Sequence, residues 1–169
     1  TSILIPRFDL PMENASVMVS LIPFFTVIFA PLFGSLVDKV GKGTRWMITG
    51  SILVLISHLM IAFAPQGVQT YGYIAIAMLG VGYSLVPAAL WPTVSKIVPE
   101  KNLGTAYSLI YWIQNMGMLT VPIVIGLIFK SEVLTAGNQA QELSAAIHSE
   151  FVFIALSTAA IIVSICYAK

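Results

Sequence analysis

The sequence predicts an all-α fold, a polytopic transmembrane helical bundle with five spans. Three observations predict it. Of 169 residues, 58% are apolar and only 9% charged, against about 25% charged in a soluble domain. Eight Lys/Arg and seven Asp/Glu cannot coat a globule that must also hide so much apolar surface. The uncharged stretches are long enough to cross lipid, and the basic residues between them gather on one side. Net charge +1 gives no basic face for DNA or RNA, so no nucleic-acid partner is expected. Cys166 is the single cysteine, which excludes a disulfide framework and a cysteine metal centre. No metal site and no cofactor are expected.

The spans follow from the charges. Residues 14–37, 102–129 and 151–168 hold no Asp, Glu, Lys or Arg. The uncharged run 46–95 is too long for one crossing and divides at the polar turn Pro65-Gln66-Gly67-Val68-Gln69-Thr70. Five spans result, near 14–37, 46–64, 71–95, 102–129 and 150–168, preceded by an external segment, 1–13. Each comes close to or exceeds the roughly 20 residues that a crossing needs. The fourth would reach about 42 Å as a straight helix and should tilt. A charge at mid-span costs about 2.5–3.5 kcal/mol, against a gain of about 0.3–0.6 for each Leu, Ile, Val or Phe, which is why the charges are confined to the ends.

Six basic residues share one side: Lys39, Lys42 and Arg45 after the first span, Lys96 and Lys101 after the third, and Lys169 in the tail. Only Arg7 and Lys130 fall on the other. The positive-inside bias puts the six in the cytoplasm, the N-terminus outside and the C-terminus inside. An exported N-terminus with no leader before it leads us to expect the C-terminal part of a longer protein; a complete five-helix protein is the alternative. Short connections at 38–45, 65–70 and 96–101 make the flanking helices antiparallel neighbours. The longer stretch 130–150 is read as a polar outer loop, with a short external helix at 143–147 and with His148 and Glu150 at the membrane boundary.

The turn after the first span, Gly34-Ser35-Leu36-Val37-Asp38-Lys39-Val40-Gly41-Lys42-Gly43-Thr44-Arg45, is the most specific string in the chain. Gly34 would let a neighbouring helix approach closely. Asp38 ends a helix, where the macrodipole disfavours an anion, so it needs a partner such as Lys39, Arg45 or another helix's N-terminus. Gly41 and Gly43 permit positive φ in a tight reversal. This string resembles the cytoplasmic-loop signature of major facilitator superfamily transporters, Gly-x-x-x-Asp-(Arg/Lys)-x-Gly-(Arg/Lys). Placed at that family's second copy of the signature, the five spans correspond to helices eight to twelve of twelve. The residues Gly34, Asp38, Lys39, Gly41, Lys42 and Arg45 would then form a cytoplasmic gating motif.

A second stretch is more particular. Gly80-Val81-Gly82-Tyr83-Ser84-Leu85-Val86-Pro87-Ala88-Ala89-Leu90-Trp91-Pro92, with Ile97-Val98-Pro99-Glu100, Leu103-Gly104-Thr105-Ala106-Tyr107 and Gln114-Asn115-Met116-Gly117, is similar to the branch that holds the lysosomal dipeptide transporter and its prokaryotic relatives. The resemblance implies a secondary transporter of a small polar solute, with dipeptides as one possibility, working by alternating access in a partial major-facilitator fold. Its partners would be membrane lipid, the solute and the further N-terminal helices of the same transporter. A bacterial inner membrane is the favoured location, with a lysosomal or other eukaryotic membrane as the alternative.

Within that frame Tyr83, Ser84, Trp91, Tyr107, Tyr111, Gln114 and Asn115 are the substrate-cavity candidates, because they add aromatic faces and polar handles to the third and fourth spans. Pro31, Pro87, Pro92 and Pro122 are hinge candidates, since each removes a helical donor. Gly80, Ser84 and Ala88 recur every fourth position and read as a close helix contact. His58, the only strongly titratable group within a span, is expected to make an interhelical hydrogen bond at the periphery, with a proton relay as the alternative. With no buried carboxylate, Lys or Arg anticipated in the spans, any ion-coupling charge is expected elsewhere in the longer protein, or transport is uncoupled. No catalytic pattern is present and the chain is not expected to be an enzyme. The alternative function is a membrane-embedded scaffold or assembly protein without transport activity.

Overall fold

The computed structural model describes residues 1–133 and 138–167. Among them every regular element is helical: α1 (Leu4–Phe8), α2 (Met12–Val40), α3 (Gly43–Phe63), α4 (Gln69–Ile97), a single 3-10 turn (Glu100–Asn102), α5 (Leu103–Glu132) and α6 (Gln139–Tyr167). The five long helices are long and apolar enough to cross a membrane. Antiparallel alternation puts Lys39, Lys42, Arg45, Lys96 and Lys101 at one end of the bundle, hereafter the basic end, and Arg7 and Lys130 at the far end. Lys169 lies outside the described residues.

The centre of the bundle is α4, packed between α2 and α3, with α6 against the other side of α3. Glycine sets how closely these helices cross. A Cβ on Gly82 would lie 2.9 Å from the Gly50 carbonyl oxygen and 3.0 Å from Leu53 Cβ, and one on Gly50 would lie 3.1 Å from the Gly82 oxygen. Two bare backbones therefore meet where α3 crosses α4, as small residues allow in lipid. Gly80 faces Phe25 of α2 in the same way, with its added Cβ 2.9 Å from Phe25 Cβ. The stripe Gly80-Ser84 is thus a packing surface against α2: Ser84 is fully buried, its hydroxyl donates to the Gly80 carbonyl (2.6 Å) and its Oγ lies 3.4 Å from Thr26 Oγ1.

Two local expectations are corrected. Gly41 does take positive φ (71°), but its partner in the reversal is Lys42 (φ 57°), not Gly43. Gly43 begins α3, and a Cβ there would collide with Thr93 of α4, so its bareness serves a helix contact. The residues 143–147 form no separate external helix. They are early turns of α6, which starts at Gln139, while α5 runs on to Glu132. Charged and polar residues at the far end concealed helix that continues past the apolar runs; residues 134–137 of the expected loop lie outside the described residues.

The first ten residues do more than hang outside the bundle. Leu4, Phe8 and Leu10 are buried in one cluster with Ala15, Met18, Ile61, Ala75 and Ile76. Between them Arg7 turns inward. Its Nε donates to the Ile61 carbonyl (2.6 Å), and its Nη2 to the carbonyls of Ala62 (3.0 Å) and Ala64. The last carbonyls of a helix have no partners within it and carry the negative end of its dipole. The last turn of α3 holds no basic residue of its own, so Arg7 supplies the cation from α1. Burial lowers the pKa of its guanidinium, and the charge of Glu150 works in the opposite direction.

Candidate functional site

An open groove of about 1430 Å3 runs between α3, α4, α5 and α6, with Thr1, Ser2 and Ile3 among its lining residues. It exists because α5 stands away from α4 and has no buried residue of its own. One wall comes from α4, through Tyr83, Val86, Pro87, Leu90 and Trp91. The facing wall comes from α5, through Tyr111, Gln114, Gly117, Met118 and Pro122. Tyr83 and Tyr111 are each about half exposed to it.

The aromatic part of that surface is pre-assembled. Trp91 stacks on Tyr111 with ring centroids 4.9 Å apart and planes at 26°, and it meets Tyr107 edge-on at 5.6 Å. The Tyr107 hydroxyl donates to the Trp91 carbonyl (3.4 Å). Such pairs contribute about 0.5–1.5 kcal/mol beyond their area, so the rings hold one another in place across the two helices. The wall carries amide, hydroxyl and π surface but no Asp, Glu, Lys, Arg or His. It can stack on a ligand's side chain, accept and donate neutral hydrogen bonds, or present an aromatic face to a cation; it offers no charged side chain as a counter-ion.

The structure thus brings Tyr83, Trp91, Tyr111 and Gln114 to one groove, along with Pro87 and Pro122, and leaves the other candidates off it. Ser84 faces α2. Tyr107 supports Trp91 from behind. Asn115 turns its Nδ2 onto the Tyr111 carbonyl of its own helix (2.7 Å). Despite Pro87 and Pro92, α4 is one helix, and so are α2 through Pro31 and α5 through Pro122. At the basic end nothing lies within 4 Å of a Cβ added to Gly34, and Asp38 is exposed, with no ion pair to it among the described residues. Trp46 Nε1 donates to the Gly41 carbonyl (3.1 Å), which pins the reversal.

Sequence reasoning missed the contribution of α6. Phe153, Leu156, Ser157 and Ala160 line the groove, at i, i+3, i+4 and i+7 spacing that could have marked one face. It also missed a buried acid. Glu150 is 3% exposed and lies within α6, where its Oε2 sits 2.7 Å from His58 Nδ1 of α3. The expectation that the spans hold no buried carboxylate is therefore wrong. Glu150 adjoins the last uncharged run, and only the extension of α6 carries it inside. His58 makes the interhelical bond expected of it. A second such tie, His148 Nδ1 to Glu132 Oε1 (2.5 Å), joins α6 to α5 near the surface.

The model of the Major Facilitator Superfamily matches residues 3–168. The chain belongs to the major facilitator superfamily. Among curated members of this superfamily, the lysosomal dipeptide transporter MFSD1 of Gallus gallus is 41% identical over 124 residues, which is 73% of this chain and 27% of the relative. The Mus musculus protein of that name is 40% identical over 126 residues, 75% of this chain and 26% of the relative. A Bacillus subtilis protein, the uncharacterized MFS-type transporter YwoD, is 22% identical over 131 residues, 77% of this chain and 29% of the relative. The chain spans about a quarter of the length of these relatives.

These identities correct the expected location. Six relatives with a lysosomal name, from six vertebrates, are 38–41% identical, well above the 22% of the Bacillus subtilis protein, so a bacterial inner membrane is not where the likeness points. The sequence rule could not separate the two. Basic turns face the cytoplasm in either membrane, and the charge count reports a side without reporting a compartment.

Proposed function

We propose that this chain is part of the C-terminal helical half of a longer secondary transporter, which moves a small polar solute across a lysosomal membrane by alternating access. The spans α2 to α6 are helices eight to twelve in that reading, and the further helices of the longer protein supply the opposing walls. The observation that carries it is the groove: four membrane helices of a superfamily member converge on one surface lined by Trp91, Tyr111, Tyr83 and Gln114. Dipeptides are the solute class proposed, from the printed names of the relatives. The absence of charged side chains from the lining suits a division of labour in which this half takes side chains and the opposing walls supply the counter-charges for the ammonium and carboxylate ends.

Uptake of radiolabelled dipeptides by liposomes holding the full-length protein tests the wall. Trp91→Ala should lower apparent affinity about tenfold, the equivalent of about 1.4 kcal/mol of lost stacking and packing, and Gln114→Ala should lower it several-fold. Ser84→Ala, off the groove, should stay close to the parent. Equal uptake by all three would remove the groove from the solute path. No uptake of any dipeptide by well-folded protein, with dry side chains at 83, 91 and 114 in cysteine scanning, would favour the scaffold reading.

Orientation is proposed with the basic end in the cytosol. In the full-length protein with its native cysteines, Cys166 included, replaced by Ala, Lys42→Cys and Lys101→Cys should both react with an impermeant maleimide added on the cytosolic side, and Lys130→Cys only from the lumen. Labelling of Lys42→Cys and Lys101→Cys from opposite sides would break the assignment of spans to transporter helices.

A further inference from the structure

The function proposed above does not use the buried pair His58–Glu150. It joins α3 to α6 about 7 Å short of the far end of α3, at 1.5 Å per residue. The His58 ring lies flat on Phe153, with centroids 4.8 Å apart and planes at 8°, and Phe153 lines the groove. One ring thus separates the pair from the wall. On the other side Arg7 of α1 lies near enough for the Glu150 charge to favour its guanidinium.

Few other groups bear on the pair. The only Asp, Glu, Lys, Arg or His of α4 is Lys96, at the basic end, and Tyr71 and Tyr73 at its far end are exposed. Arg45, the other ionisable residue of α3, is at the basic end. On α6, Glu142 sits two turns before Glu150, and His148 is turned to Glu132 of α5.

We infer that the His58–Glu150 pair is a proton-binding switch, set by the pH of the compartment at the far end of the bundle, which fixes the seam between α3 and α6 and through Phe153 the groove wall. With neutral imidazole, Nδ1–H donates to the carboxylate and Nε2 keeps a lone pair. A proton taken up at Nε2 leaves that bond in place and makes it an ion pair. The bond ends on a carboxylate in both states, and the added proton sets a full positive charge opposite it, an attraction that burial screens little. Protonation therefore tightens the seam, and a tightened seam holds Phe153 against the imidazolium. Histidine is the side-chain type whose charge ordinarily changes between about pH 5 and pH 8, the interval that separates an acidic lumen from neutral medium.

The lumenal sense of the switch rests on the proposed orientation, so the test reads the seam itself and not transport. Spin labels on Phe63→Cys of α3 and Gln141→Cys of α6, both exposed, are placed in the full-length protein with all of its native cysteines, Cys166 included, replaced by Ser. Pulsed electron resonance should show a narrower and shorter distance distribution at about pH 5 than at about pH 7.5, by about 1–2 Å, the usual scale of a helix shift. H58Q should abolish the response, and H148Q should keep it. A distribution that ignores pH in protein retaining His58 overturns the inference, as does a full response in H58Q. The first outcome needs no change at the pair, so the test survives a poorly folding H58Q. A seam that responds in protein that transports no dipeptide would count against the proposed solute alone.

Discussion

Replacing Gly82 by leucine should leave almost no folded protein. A single Cβ at that position already sits 2.9 Å from the Gly50 oxygen, 3.0 Å from Leu53 Cβ and 3.0 Å from Val54 Cγ2, so it meets backbone that cannot step aside. Overpacking a tight core costs about 1–3 kcal/mol for added methylenes. Here four carbons would be driven into the axis about which α3 and α4 cross, and the loss should reach the top of that range or exceed it. In lipid no hydrophobic drive compensates for a lost close approach, because the tails are as apolar as leucine. Size-exclusion profiles of tagged full-length protein should show the variant in the void volume, Gly82→Ala partly recovered, and Gly117→Leu, where nothing lies within 4 Å, close to the parent. A parent-like profile for Gly82→Leu would disprove the crossing geometry.

Arg7→Ala should destabilise the protein by about 2–4 kcal/mol. It removes the donors to the carbonyls of Ile61, Ala62 and Ala64 and the cation nearest Glu150. Each buried acceptor left without a partner costs about 1–3 kcal/mol. The removed side chain is large, but its void lies at the far end of the bundle where water can enter and soften the loss. Arg7→Lys keeps the charge and loses the planar fork, so it should fall between. Thermal unfolding in detergent, followed by the loss of helical circular dichroism, would rank the three. Equal midpoints for all would show that α1 is not fastened to α3.

Much of the bundle was legible because lipid makes one demand that composition records directly. Charges stay out of the spans, so Asp38, Lys39, Lys96, Lys101 and Lys130 mark ends that the helices respect to within a few residues. The resemblance carried by the Asp38 turn and by the Gly80–Gly117 stretch identified the superfamily, and the far end was where reading failed. Arg7, His148 and Glu150 look like loop residues in a linear scan, yet two of the three are buried. Their burial depends on partners 54 and 92 positions away, Ile61 and His58, and no local pattern encodes such pairings. The groove was half legible for a similar reason. Tyr83, Trp91, Tyr111 and Gln114 stood out as polar or aromatic within apolar spans, whereas Phe153 and Leu156 are ordinary residues until α6 turns them inward.

The amide of Asn115 has a bearing on how such a chain is made. A helix leaving the translocon meets lipid before it meets its neighbours, and no residue of α5 is fully buried against the other described residues. An unsatisfied amide at that depth would penalise insertion by several kcal/mol. By folding Nδ2 back onto the Tyr111 carbonyl one turn earlier, Asn115 carries half of its own compensation into the bilayer. To that extent Asn115 lowers the cost of setting α5 in lipid before its partners arrive.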